Sequence, residues 1–260
     1  MQVIDFQVSL RLESKTIHEV QALQQPLRVA VMDAVPEIFW HHDLGITDSQ
    51  KFIDLLQPMN DQARFDVYYA SKDEFPQSLD DYDALLVTGS PCSVHDQDPW
   101  IARLAELIRT ADERGLRIIA SCFGHQLVAR TYGGEVGHNE GGWMIGNYPV
   151  YIDQRHNWMQ PPAEVTGVYH FNQERVTRLP EQAVAYARTD DYDDFGFTIG
   201  DNILCIQGHP EQPHRAMVNF LDSMEKLPAE QGAKARARID DGKPDAHIWA
   251  EWMMRFYTRS

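Results

Sequence analysis

From residue 27 to residue 120 the chain alternates short apolar runs with longer stretches whose apolar positions recur at helical spacing. The spacing predicts strands at residues 27–32, 65–69, 82–88 and 116–120. Helices are predicted between them at 49–56 and 99–114, the second with apolar residues at 101, 104, 105 and 108. Runs such as Ala84-Leu85-Leu86-Val87 and Ile118-Ile119-Ala120 lack polar alternation, as strands covered on both faces do. This βαβα order places the chain in the α/β class, with a mostly parallel sheet flanked by helices. After Gly133-Gly134 the texture shortens, and strands at 146–152, 165–170, 183–188 and 202–207 read as a small antiparallel extension of that sheet. Helices are predicted again at 213–226, 228–239 and 244–257, each opening near a proline in its first turn. Ile248, Trp249, Trp252, Met253 and Phe256 share one face of the last and are expected to pack into the core.

Residues 1–26 follow a different pattern, with Phe6, Val8, Leu10 and Leu12 alternating with polar residues before a Gln-rich stretch. They read as an appended strand and arm, and residues 4–12 are expected to pair with a sheet edge of this or a second copy of the chain. The expected organisation is therefore an arm at 1–26 and one α/β unit with C-terminal helices at 27–260.

Charge narrows the function. Lys and Arg total 23 against 39 Asp and Glu, a net charge of −16, which disfavours nucleic acid and anionic membrane as partners. The longest apolar runs are four or five residues, too short to cross a bilayer. The N-terminus shows no apolar signal region, so a cytoplasmic protein is expected. Cys92, Cys122 and Cys205 are an odd number with no Cys-x-x-Cys spacing, which fits neither a disulfide framework nor a zinc knuckle. His41-His42-Asp43, and His209 with His214, lack the third ligand and spacing of a zinc site, and no metal or cofactor is expected.

One stretch carries most of the chemistry. Ile118-Ile119-Ala120-Ser121-Cys122-Phe123-Gly124-His125-Gln126 runs a buried strand into a small-x-Cys-x-Gly turn and then a helix. That is the cysteine form of a nucleophile elbow, which lifts a reactive atom to the carboxyl edge of a sheet. Gly124 permits close passage of the chain, the helix N-terminus favours thiolate, and the Phe123 amide is placed to stabilise an oxyanion. A buried cysteine at a strand end also occurs without function, so the turn alone decides nothing. A base and an orienting carboxylate are needed as well, and His209-Pro210-Glu211 supplies both just past the strand at 202–207. Cys92 and Cys205 read as inert thiols.

These residues resemble the class I (triad-type) glutamine amidotransferases. Cys122-Phe123-Gly124-His125-Gln126 is similar to their nucleophile motif and His209-Pro210-Glu211 to their His-Pro-Glu motif, 87 positions apart and in the family's order. Val87-Thr88-Gly89-Ser90-Pro91 resembles the oxyanion-strand segment, and Gly133-Gly134, Asn139 and Gly142-Trp143-x-Ile145-Gly146 the segment after the elbow helix. The resemblance spans about residues 27–225. It implies a flavodoxin-like fold, catalysis by Cys122, His209 and Glu211, and oxyanion donors at Gly89 and Phe123. It also implies that Gln126 and the main chain around Ser90 and Gln173 grip the glutamyl amino and carboxylate groups.

Three departures bear on substrate. Ala120 stands where the family usually has Gly, a change the turn is expected to tolerate. Phe171-Asn172-Gln173-Glu174-Arg175 replaces a His-x-Asp segment near the glutamine's amino-acid end in relatives. Gly208 replaces an aromatic residue before His-Pro-Glu, as in stand-alone members that act as γ-glutamyl peptidases, and is expected to leave space for a leaving group larger than ammonia. Three readings follow: cysteine-dependent hydrolysis of a γ-glutamyl amide or glutamine through a γ-glutamyl thioester; an amidotransferase subunit delivering ammonia to a separate synthase; and a catalytically silent binding or regulatory protein on the same fold. The expected partners are a small γ-glutamyl substrate or glutamine, a possible synthase subunit and a possible second copy of the chain.

Overall fold

The computed structural model describes residues 26–43, 45–241 and 243–259. The expected strand and arm at 1–26 lie outside them but for Pro26, as do the side chains of His41, His42 and Asp43. Eleven strands are described: β1 (Arg28–Asp33), β2 (Arg64–Tyr69), β3 (Ala84–Val87), β4 (Arg117–Ser121), β5 (Glu135–His138), β6 (Met144–Ile152), β7 (Val165–Asn172), β8 (Glu174–Arg178), β9 (Ala183–Arg188), β10 (Gly196–Ile199) and β11 (Ile203–Ile206). The α-helices are α1 (Asp48–Leu56), α2 (Pro99–Glu113), α3 (Phe123–Thr131), α4 (His214–Ser223), α5 (Ala229–Asp240) and α6 (Ala246–Thr258). A 3-10 segment, Glu37–Asp43, precedes α1.

Nine strands form one sheet in the order β2-β1-β3-β4-β11-β10-β9-β6-β7. Its first five are parallel, and from β11 onward every neighbour is antiparallel. A helix-flanked α/β sheet, parallel through its first five strands and carried on by an antiparallel extension, is thus the observed fold. β5 and β8 form a separate antiparallel pair.

The parallel strands are apolar on both faces for a visible reason. Ala30 and Met32, Leu85 and Val87, Ile118 and Ala120, and Ile203 and Cys205 pack on one side, with α2 and α3. Their neighbours Val29, Val31, Ala84, Leu86, Ile119, Leu204 and Ile206 pack on the other, with α1 and α6. Side chains alternate with period two, so a strand covered twice has no polar positions. The α6 face predicted to pack does so: Trp249, Trp252 and Phe256 are fully buried. Burying a large apolar side chain contributes about 1.5–3 kcal/mol.

The prolines of the later helices sit one or two positions outside the expected first turn. Pro213 and Pro228 occupy the N-cap positions of α4 and α5, and Pro244 precedes Asp245, the N-cap of α6. A fixed φ before the first helical residue stops the helix from extending backwards, and a missing N–H costs nothing there. No helix among the described residues is long and apolar enough to cross a membrane.

Candidate active site

The parallel half of the sheet brings three loops together at its carboxyl edge, where α/β sheets bind ligands. β4 ends at Ser121, and Cys122 follows with φ 49° and ψ −102°, a left-handed conformation for a residue that is not glycine. Such a backbone costs on the order of 1–3 kcal/mol and persists only when its surroundings enforce it. Here the Cys122 amide donates to Ile206 O at 2.9 Å, and Cys122 O accepts from the Gln126 amide at 3.0 Å. Gly124 donates to Thr88 O at 3.2 Å, and a Cβ on Gly124 would lie 2.8 Å from Val87 O. The tight turn therefore needs a glycine at 124, as read from the sequence.

The loop after β11 places His209. The His209 amide donates to Tyr169 O at 2.7 Å, and Ser121 Oγ donates to Gly208 O at 2.9 Å, which ties this loop to β7 and to the cysteine strand. His209 Nδ1 lies 2.8 Å from Glu211 Oε1, and the imidazole shares one cavity with the Cys122 thiol. With Nδ1 committed to Glu211, Nε2 is the nitrogen left for sulfur. Burial by itself pulls the His209 pKa down, but the charges of Cys122 and Glu211 overcome it and hold the imidazole well above its ordinary 6.5. Glu211 Oε2 is buried with no hydrogen-bond partner among the described residues.

Gly89 borders this pair closely. A Cβ built there would sit 2.9 Å from His209 Cε1 and 3.5 Å from Cys122 Cβ, so no side chain fits. Thr88 Oγ1 donates to Gly89 O at 2.9 Å and accepts from the Ala34 amide, which fixes the peptide that follows Gly89. Phe123 turns its ring inward against Trp100, centroids 5.5 Å apart, and leaves its main chain at the elbow.

Cys122, His209, Ser90, Gln126 and Gln173 all line one cavity of about 590 Å³, with Glu211 behind His209. Gln126 Nε2 donates to Glu174 O at 2.8 Å and Gln207 Oε1 at 3.1 Å. Ser90 Oγ donates to Ala34 O at 2.7 Å, and Gln173 O accepts from the Asn139 amide at 2.8 Å. His125, beside Gln126, is a neutral core histidine against Phe197, its pKa lowered to about 3 by burial. Burial also raises the thiol pKa of Cys92 and, far more, of Cys205.

The expectation for Gly208 is overturned. A Cβ at 208 would lie 2.7 Å from Val168 Cγ1 and 3.1 Å from the Phe195 ring, so the space beside this glycine is filled by core and does not open into the cavity. Other lining residues were not anticipated. Glu174 lines the cavity, with Oε2 accepting from Ser93 Oγ at 2.8 Å. Under the His209 loop, Asp48 Oδ1 accepts from Lys51 Nζ at 2.5 Å and Gln212 Nε2 at 3.1 Å, and Lys51 Nζ also donates to Gln212 Oε1 at 3.0 Å. Burial pushes the Asp48 carboxyl well up, and pulls Lys51 down to about 8. This buried clamp was passed over in the sequence, although Gln212 directly follows the His209-Pro210-Glu211 motif. Among the described residues no three His, Cys, Asp or Glu side chains gather as a metal site.

Residues 56–223, more than half of the chain, match the family model for glutamine amidotransferase class-I. The chain belongs to that family. Membership makes this amidotransferase-family chain an enzyme of amide hydrolysis at glutamine or γ-glutamyl groups in the general sense. It is 27% identical over 205 residues to γ-glutamyl peptidase 3 of Arabidopsis thaliana, covering 74% of this chain and 82% of that one. It is 28% identical over 163 residues to the glutamine-hydrolysing GMP synthase of Flavobacterium psychrophilum, covering 60% of this chain and 31% of the synthase. A crystal structure of a Thermotoga maritima glutamine amidotransferase superposes with a TM-score of 0.72 at 17% identity, covering 89% of this chain and 98% of that one, which shows the shared fold.

Proposed function

We propose that the chain, with residues 27–260 as one catalytic unit, is a free-standing γ-glutamyl amide hydrolase acting through a Cys122 thioester. The observation that carries this is the strained Cys122 at the edge of β4, in one cavity with an imidazole that Glu211 holds at 2.8 Å. Cys122 sulfur attacks the γ-carbonyl, and the Gly89 and Phe123 amides receive the oxyanion. Protonated His209 gives its proton to the leaving amine, and the neutral ring then takes one from the water that cleaves the thioester. Glu211 keeps the ring oriented and stabilises its charged form.

Gln126 and the main chain at Ser90 and Gln173 surround the glutamyl end. Glu174, fixed by Ser93, is the carboxylate that meets the substrate's α-ammonium. The match to a γ-glutamyl peptidase, 27% identical over 82% of that protein, supports the hydrolase reading. The test is release of glutamate by purified protein from glutamine, γ-glutamyl anilide and γ-glutamyl dipeptides with no partner added. Faster turnover of the amides than of glutamine supports the reading. Inertness toward all of them until a synthase is supplied would return the subunit reading.

A further inference from the structure

The cavity exceeds what a glutamyl group fills. Its volume of about 590 Å³ lies in the range of sites for whole drug-sized ligands. Away from Gln126 and Glu174, its wall is aromatic. Trp143 and Phe171 stand 5.4 Å apart between ring centroids, and Phe171 and Phe220 5.3 Å, giving a continuous surface from the loop before β6, across β7, to α4. Val35, Trp40 and Met224 extend the apolar lining, and Trp40 Nε1 is spent on Val35 O at 3.1 Å. The polar side chains on that side are spent within the protein: Asp48 and Gln212 bond each other and Lys51, Thr47 Oγ1 accepts from the Gln50 amide, and Ser223 Oγ donates to Phe220 O. An ammonia leaving group uses none of this surface, whereas an amine with an apolar body buries against it.

Resting on the hydrolase reading above, we propose that the enzyme also transfers the γ-glutamyl group from Cys122 to a primary amine with an aromatic body, seated on the Trp143–Phe171–Phe220 wall. Once the first amine has left with a proton from His209, the ring is neutral and the wall is vacant. A second amine then attacks the thioester carbonyl with its nitrogen lone pair. The C–N bond forms, the C–S bond breaks, Cys122 departs as thiolate, and the proton shed by the amine passes to His209. Nothing is oxidised or reduced, and no co-reactant is required beyond donor and acceptor. The step is acylation run backwards, so the groups that serve one direction serve the other. Holding the amine against the wall raises its effective concentration at the carbonyl relative to water.

The test incubates the purified chain with γ-glutamyl anilide and rising 2-phenylethylamine, with ethanolamine as the polar control, and measures glutamate and the two γ-glutamyl amides by mass spectrometry. The transfer-to-hydrolysis ratio is expected to saturate with phenylethylamine and to exceed that for ethanolamine by about tenfold at equal free base, the scale of discrimination an apolar pocket provides. Phe220→Leu is expected to lower the phenylethylamine ratio several-fold. Glutamate release without transfer product overturns the transfer, equal linear ratios for both amines overturn the seat on the aromatic wall, and either leaves the hydrolase reading standing. Failure to release aniline at all overturns both.

Discussion

The parallel and antiparallel halves of the sheet meet at one cavity but are built differently around it. On the parallel side, Gly89, Cys122, His209 and Glu211 are locked by loop-to-loop hydrogen bonds among Thr88, Gly124, Ile206, Ser121 and Gly208, over strands buried on both faces. On the antiparallel side, Trp143, Phe171 and Glu174 present side chains beside a β5–β8 ladder whose register shifts between Glu135 and Val136, and Phe220 reaches in from α4. Reacting groups need sub-ångström placement, which interlocked loops on close-packed strands supply. Walls need only shape and polarity. Substitutions on the parallel side should therefore be read in kcat, and those on the antiparallel side in KM and selectivity.

The largest effect should come from the nucleophile. Cys122→Ala is expected to lower kcat by about 10⁴-fold or more, since in the proposed mechanism no other group forms the thioester. Its thermal midpoint should stay near that of the unchanged chain, because the side chain lost is small. A glutamine-analogue electrophile should label Cys122 alone, with burial holding Cys92 and Cys205 as thiols. Peptide mapping that finds label on either of those would end the assignment.

Gly89→Ala comes next. Its Cβ would overlap His209 Cε1 at 2.9 Å, so the imidazole must shift and, with it, the amide proposed to receive the oxyanion. A loss of about 10²–10³-fold in kcat is expected, the scale of removing one oxyanion donor. A KM change with kcat intact would move this glycine to the wall side of the comparison.

Glu211→Gln should lower kcat by about 10²-fold, within the range for general acid–base groups, and should also shift the pH profile. His209 is raised because the charges of Cys122 and Glu211 outweigh burial. Removing one of those charges lowers its pKa, so the alkaline limb of kcat, where the proton donor is lost, moves to lower pH. The stability linkage has the same sign. With the folded value above the unfolded one, this ionisation stabilises the fold fully below about pH 6.5 and is withdrawn as pH rises through the folded pKa. An unmoved alkaline limb would show that Glu211 does not act through His209.

The same contrast explains how much was legible in the sequence. The doubly covered strands declare themselves as unbroken apolar runs, and β9 falls on its expected residues, 183–188. β10 was missed because four residues after an acidic stretch are too short to show a period. β5 and β8 were missed because Glu135, His138, Arg175 and Arg178 give a polar pattern, and their order comes from pairing with each other. In the site, Cys122 and His209-Pro210-Glu211 were readable because a turn and a strand end keep each motif contiguous. The aromatic wall was not, since Trp143, Phe171 and Phe220 belong to three elements that only the topology unites. Gly208 misled because the absence of a side chain says nothing about which neighbour fills the space; here Val168 and Phe195 do.

The smallest predicted effect tests the wall side at its polar end. Glu174 is held by Ser93 at 2.8 Å and its carbonyl by Gln126 at 2.8 Å, so the carboxylate is pre-set at the glutamyl end and does not reach the reacting atoms through His209. Replacing it with Gln keeps the shape and the hydrogen bond to Ser93 while removing the charge that an α-ammonium would meet. A charge-assisted hydrogen bond exchanged for a neutral one should raise KM for γ-glutamyl anilide by about tenfold and leave kcat within about threefold. Glutaryl anilide, which has the same carboxylate and amide but no α-amine, should show the reverse dependence. The unchanged enzyme should bind it poorly, and Glu174→Gln should bind both substrates alike. If Glu174→Gln instead lowers kcat equally for both, the residue shapes the elbow through Gln126, and the division between a reacting edge and a recognising edge fails at this position.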